Sequence, residues 1–240
     1  MLIASPRHTA RDLEAWARWE REDAINAALP RMLRLEDRAL ADMRAFAAVA
    51  PCWVGTSWGK ESIIVAHLAA RMRPEADIPV VWFEARPNAN PDCYLVRDAF
   101  LARWPLDYSE VVCHIPWLGD RWGIDEGYDP PWHAWHKVHP RHILGLRAEE
   151  NRTRALRMRR WGTTTPNTCA PLGFWRAADV YAYLHKHELP VHPAYACSMG
   201  GMIERGRLRV AALGGEPGTG HGRAEWERRY YGREIDAMRG

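Results

Sequence analysis

The sequence predicts an α/β fold built on an open parallel sheet, with a helical appendage at its N-terminus. Three observations predict it. From residue 52 onward short apolar runs alternate with amphipathic stretches of helical period, the pattern of βαβ units. One of these runs passes straight into a helix through the glycine-containing loop Val54-Gly-Thr-Ser-Trp-Gly-Lys-Glu-Ser62. The length, 240 residues, suits one domain of ordinary size with an addition.

Taken in order, residues 9–48 read as two amphipathic helices. Leu13, Trp16 and Ala17 mark the first, and Met32, Leu33, Leu35, Leu40 and Met43 mark the second, with Pro30 between them. Residues 1–49 are therefore expected to form a helical appendage, either packed on the main domain or used in self-association, which leaves a homo-oligomer open. Cys52 to Thr56 is the first strand, and Ile63 to Met72 the first crossover helix. Pro79 to Ala85 is a second strand, Asp92 to Trp104 a helix, and Glu110 to Ile115 a third strand. Residues 116–141, with four tryptophans and with Pro116, Pro130 and Pro131, read as an insertion long enough to be a lid or a wall. His142 to Arg147 is a fourth strand and Glu149 to Trp161 a helix. A Thr/Pro loop and a helix from Trp175 to Glu188 follow. The main domain is expected over 50–200. Residues 201–240 read as a Gly/Arg-rich tail able to fold over the site, with Arg205, Arg207, Arg209 and Arg223 in it.

Composition narrows the class. Hydrophobic residues make up 47%, enough for a core, and no apolar run approaches the ~20 residues of a membrane span. The N-terminus lacks the charged start and apolar stretch of a signal peptide, so a cytoplasmic chain is expected. The five cysteines are widely spread with no C-x-x-C pair, which argues against a disulfide framework or a cysteine metal cluster. Lys60, Lys137 and Lys186 are the three lysines among 33 basic residues. A lysine inside a glycine-containing loop is an unusual choice in such a chain.

A loop that runs from a strand tip into a helix presents free backbone N–H groups and the positive helix end at the carboxyl edge of the sheet. Anions bind there. Gly59 permits close approach, Ser57 and Ser62 offer hydroxyls, and Lys60 offers a point charge. The loop is not a Walker A motif, because three residues separate Gly55 from Gly59 and Glu61 follows Lys60. The G-x-G-x-x-G fingerprint of dinucleotide folds is absent as well.

Ser57-Trp-Gly-Lys-Glu-Ser62 resembles instead the PP-loop, S-x-G-K-D-S, of the adenine nucleotide alpha-hydrolase superfamily, with Glu61 in place of Asp. Gly145, Arg147, Glu150 and Arg152 or Arg154 match the G-[IVL]-R-x-x-E-S-x-x-R stretch of the phosphoadenosine-phosphosulfate (PAPS) reductase-like branch, with Asn151 in place of Ser. Pro171 to Leu184 and Leu189 to Tyr195 resemble that branch's P-[IL]-x-x-W-x-x-x-D-V-W-x-Y-[IL] and P-x-x-P-x-Y strings. The matches run in the same order over residues 50–200. The resemblance implies a HUP/Rossmann-like sheet that binds an adenine nucleotide, ATP or PAPS, with Mg²⁺. Lys60, Glu61 and Arg147 are the expected catalytic residues. Ser57, Trp58, Gly59, Ser62, Glu84, Gly145 and Arg152 join them as expected nucleotide contacts.

PAPS reductases carry a nucleophilic cysteine in a short E-C-G-L-H motif. No cysteine follows Cys197 in this sequence. An enzyme-bound thiosulfonate is then hard to arrange, so cleavage of ATP between its α- and β-phosphates, adenylating an acceptor, is the expected chemistry. Reduction of PAPS with an external thiol donor is one alternative. A non-catalytic nucleotide- or nucleic-acid-binding module is the other. Crowded arginines at 152, 154, 157, 159 and 160 leave nucleic acid open as acceptor. His133, His136, His139 and His142 recur every three residues, but Pro140 and the flanking tryptophans disfavour a metal site, and none is expected.

Overall fold

The structure, a computed structural model, describes residues 1–73, 75–210, 212–214 and 223–239. The chain opens with α1 (Ala10–Ala27) and α2 (Pro30–Val49). Thr9 and Asp12 form a reciprocal capping box on α1, and Pro30 starts α2 where its missing N–H costs nothing. The sheet follows: β1 (Trp53–Thr56), α3 (Lys60–Met72), β2 (Val80–Arg86), α4 (Asp92–Arg103), β3 (Tyr108–His114), α5 (Ile124–Val138) and β4 (His142–Ile143). Then come a 3₁₀ turn at Ala148–Glu150, α6 (Arg152–Trp161), β5 (Thr168–Cys169), α7 (Ala177–Lys186) and α8 (Arg223–Arg239).

Among the described residues the strands form one parallel sheet in the order β3-β2-β1-β4-β5. β1 is central, and the order reverses at it. From β1 the chain moves first to one side, through α3 and α4, and later returns to the other through α5. The gap between the carboxyl ends of β1 and β4 is therefore a topological switch point, where open α/β sheets hold their ligands. Apolar residues of α2, α3, α4 and α7 pack on one face around Leu40, Met43, Ile64, Leu68, Phe100 and Tyr183. On the other face Trp53, Val81, Phe83 and Ala85 meet Tyr128, Trp132 and Trp135 of α5.

Several elements differ from the sequence expectation. The fourth strand stops at Ile143, because Leu144 to Leu146 leave the sheet to wall a cavity. The expected insertion at 116–141 carries α5, which keeps its helix through Pro130 and Pro131 because its aromatic face is buried on the sheet. β5 lies within the expected Thr/Pro loop. The C-terminal segment carries α8, and residues 215–222 of its Gly-rich stretch lie outside the described residues.

The N-terminal helices pack against α7 and α3. Asp12, fully buried, accepts from the amides of Ser198 and Gly200 and from the Tyr230 hydroxyl, tying α1 to the turn after Tyr195 and to α8. Asp23 takes both Nη atoms of Arg205, whose guanidinium lies 3.9 Å from the Tyr181 ring. That arginine is thus fixed in the fold.

Candidate nucleotide site

A cavity of about 330 Å³ opens at the switch point. Its floor is the loop between β1 and α3. Its walls are Phe83, Tyr128 and Trp132 on one side and Leu144 to Leu146 on the other, with Tyr195, Arg209 and Val210 closing over it. Polar loop groups and aromatic side chains thus line one cavity.

The loop's shape comes from its own hydrogen bonds. Ser62 Oγ accepts from the Ser57 amide at 3.1 Å and donates to the Gly59 carbonyl at 3.1 Å. Thr56 Oγ1 accepts from the Trp58 amide, and the Tyr195 hydroxyl accepts from the Lys60 amide at 2.9 Å. Those partners use three of the six loop amides. Among the described residues, the amides of Gly59, Glu61 and Ser62 have no acceptor, and all three residues line the cavity. Three orphan donors at a helix start form an anion cradle. Gly59 is needed at this place, because a Cβ there would stand 2.9 Å from Val210 and 3.1 Å from the Tyr195 hydroxyl.

Trp58 adopts φ 57°, an unusual conformation for a residue with a Cβ. Its ring is fully buried between Phe100 and Tyr108, so the side chain anchors the loop and is turned away from the cavity. Lys60 is also buried. Its ammonium donates to the Leu208 carbonyl at 2.8 Å, lies 3.5 Å from Glu61 and sits 4.7 Å from the Tyr195 ring centre. Burial lowers its pKa, and Glu61 opposes that shift.

Arg147 is placed differently from the expectation of a phosphate contact. Its side chain is 2% exposed, and its donors go to Glu61, Glu149 and the Trp175 carbonyl. It lines a neighbouring cavity of about 430 Å³, together with Lys60 and Arg209, and holds Glu61 from behind. Gly145 does lie at the loop: a Cβ there would come within 2.7 Å of the Glu61 carbonyl carbon. Glu84 faces away. Neighbouring strand residues point to opposite faces, so Phe83 enters the cavity while Glu84, fully buried, binds Arg86 and the Tyr94 hydroxyl. Arg152 is exposed and outside the cavity. Arg154, two residues on and so on another side of the helix, lines it and pairs with Glu150.

Sequence reasoning passed over Tyr195, Phe83, Tyr128 and Trp132 as site residues. Tyr195 ends the P-x-x-P-x-Y string, which was the available signal. Within the histidine run, side chains are engaged in internal hydrogen bonds. His136 Nε2 and His142 Nδ1 share a hydrogen bond at 2.9 Å, His142 Nε2 meets Thr168 Oγ1 at 3.2 Å, and burial drops His142 to about 4. Among the described residues no three His, Cys, Asp or Glu converge as a metal group. None of their helices is long and apolar enough to cross a membrane.

Free loop amides at the switch point of a five-stranded parallel sheet place an anion cradle in an α/β fold. Comparison with known proteins narrows this. No family model matches the chain. Phosphoadenosine 5'-phosphosulfate reductase of Xanthomonas oryzae pv. oryzae PXO99A is 28% identical over 196 residues, covering 72% of this chain and 76% of the relative. The enzyme of the same name from Xylella fastidiosa 9a5c is 24% identical over 159 residues, covering 59% and 66%. The crystal structure of phosphoadenylyl-sulfate reductase from Candida auris, in a phosphate complex, superposes with a TM-score of 0.52 at 11% identity, over 76% of this chain and 94% of that one. These relatives and this fold support a PAPS reductase-like PP-loop family for the chain.

Proposed function

We propose that the chain binds an adenine nucleotide with its phosphates on the Gly59–Ser62 amides and cleaves ATP between the α- and β-phosphates, adenylating an acceptor. The observation that carries this reading is the set of three unsatisfied amides at the start of α3, flanked by Lys60, Arg154 and Arg209 in one cavity. In the reaction an acceptor oxygen or nitrogen forms a bond to the α-phosphorus. The bond from that phosphorus to the bridging oxygen breaks, and pyrophosphate leaves with the electron pair. Donors fixed at the loop stabilise the charge growing on that group without reorganising. The aromatic wall of Phe83, Tyr128 and Trp132 suits the base.

Mg²⁺ fits this site as a companion of the nucleotide. Glu61 and Glu150 are the cavity's carboxylates, and both are engaged by cationic side chains. That donor set suits an ion held mostly by phosphate oxygens and water, which Glu61 or Glu150 would help to hold. When bound, the ion would neutralise phosphate charge.

Reduction of PAPS is the second reading, supported by the names of the relatives. It needs a thiol from elsewhere, because none of the five cysteines lines the cavity. Cys197 is fully buried and burial pushes its thiol up to about 12, so it is neither accessible nor ionised. Incubation with ATP or with PAPS plus a dithiol protein separates the readings. Pyrophosphate release from ATP, lost in Lys60→Ala, is the expected result. Sulfite from PAPS with no pyrophosphate from ATP would replace the first reading by the second.

A further inference from the structure

Asn151 to Ala178 contains six arginines and no aspartate or glutamate. α6 carries five of them. Asn151 caps it by accepting from the Arg154 amide at 2.8 Å, and Met158 anchors it in the core. Arg152, Arg157, Arg159 and Arg160 are exposed and, among the described residues, none has a carboxylate partner. Arg152 even occupies the first turn, where the helix dipole disfavours a cation. Cations packed this closely repel one another unless a polyanion shares the surface.

Large apolar side chains stand among these arginines. Trp161 is 58% exposed with the Arg160 guanidinium 4.7 Å over its ring, and Leu156 is 54% exposed. Phe174 is 60% exposed, and its neighbour Gly173 abuts Met158 of α6. Exposed flat rings between arginines are the combination that holds unpaired bases and their phosphates together. A duplex hides its base faces and would leave those rings unused. The helix also leads to the nucleotide: Glu150 and Arg154 at its start line the cavity, and Arg209 donates to the Glu150 carbonyl at 3.3 Å.

We propose that α6, with Phe174, is a docking face for a single-stranded nucleic acid that runs to the mouth of the nucleotide cavity. The binding stands on this surface alone, and its identity as the acceptor rests on the ATP reading above.

The test is fluorescence anisotropy of the full chain with a labelled oligothymidylate, an oligouridylate and a duplex of equal length, over a salt series. Single strands bind more tightly than the duplex. Replacing two phosphate contacts in Arg157→Gln/Arg160→Gln flattens the slope of log affinity against log salt by roughly 1.4, at about 0.7 per contact. Trp161→Ala weakens binding about tenfold with little change of slope. Arg21→Gln/Arg34→Gln, on exposed parts of α1 and α2, has no effect. Unchanged thermal melting shows that these surface variants are folded. Lys60→Ala removes ATP turnover while leaving oligonucleotide affinity intact, so each reading can fail without the other. No binding at low salt, equal affinity for duplex, displacement by phosphatidylserine vesicles, or indifference to the α6 substitutions overturns the proposal.

Discussion

Two nitrogens of Arg147, Nε and Nη2, donate to one oxygen, Oε1 of Glu61, at 3.0 and 2.8 Å. The pair joins the first turn of α3 to the segment after β4 behind the switch-point cavity. Glu61 stands where the PP-loop motif has the shorter aspartate. Glu61→Asp therefore withdraws the carboxylate by one methylene and leaves a buried guanidinium short of partners. A loss of about 2 kcal/mol in urea unfolding is expected, with weaker nucleotide binding. Unchanged stability would show that the pair is not what positions the loop.

Gly145 faces the same turn. A methyl there would meet Glu61 backbone atoms at 2.7 and 2.9 Å, atoms that cannot rotate away. Gly145→Ala is expected to cost about 1–3 kcal/mol and to shift the Glu61 and Ser62 amides. Titration calorimetry with an adenine nucleotide should show at least a tenfold loss of affinity.

Acid titration reports a second network, at the opposite end of α3. Burial by itself would raise the Glu36 carboxyl, but hydrogen bonds from His187, Lys186 and Arg71 outweigh it and bring it to about 2 from an ordinary 4.5. Its contribution is present above pH 4.5 and fades as pH falls toward 2. Glu36→Gln should unfold more easily by on the order of 2 kcal/mol at neutral pH. The difference from the parent should shrink below pH 4.5.

His67 and His192 act with the same sign for a different reason. Burial first, then nearby positive groups, drops both to about 3 from 6.5, so they stay neutral in the folded chain. Each gains a proton on unfolding below pH 6.5, and stability falls as pH drops from there toward 3. Together they set a slope of up to about 2.7 kcal/mol per pH unit in that window. Denaturant melts between pH 4 and 7 should show the slope reduced by up to about 1.4 kcal/mol per pH unit when His67 is replaced by asparagine.

The loop and the helix after it were legible because their signal is local: an apolar strand, glycine and lysine at fixed spacing, then a helical period. The aromatic wall was not, since Phe83, Tyr128 and Trp132 meet only when α5 folds back on β2. Side-chain parity misled at two positions. Glu84 follows Phe83 in the same strand but points to the other face. Trp58 lies inside the motif, yet φ 57° sends its ring to Phe100. β5, two residues long, carries no periodicity to read. Arg147 was expected to end the fourth strand, which stops at Ile143, and its partners could not be inferred from spacing, because Glu61 is 86 residues away.

The bond from Lys60 to the Leu208 carbonyl spans 148 residues. A nascent chain leaving the ribosome completes all five strands and Tyr195 before that oxygen emerges. Until then the lysine lacks that acceptor, and Arg209 does not cover the loop. Growing polypeptides of this sequence should therefore acquire nucleotide affinity late and abruptly, after the scaffold is already compact.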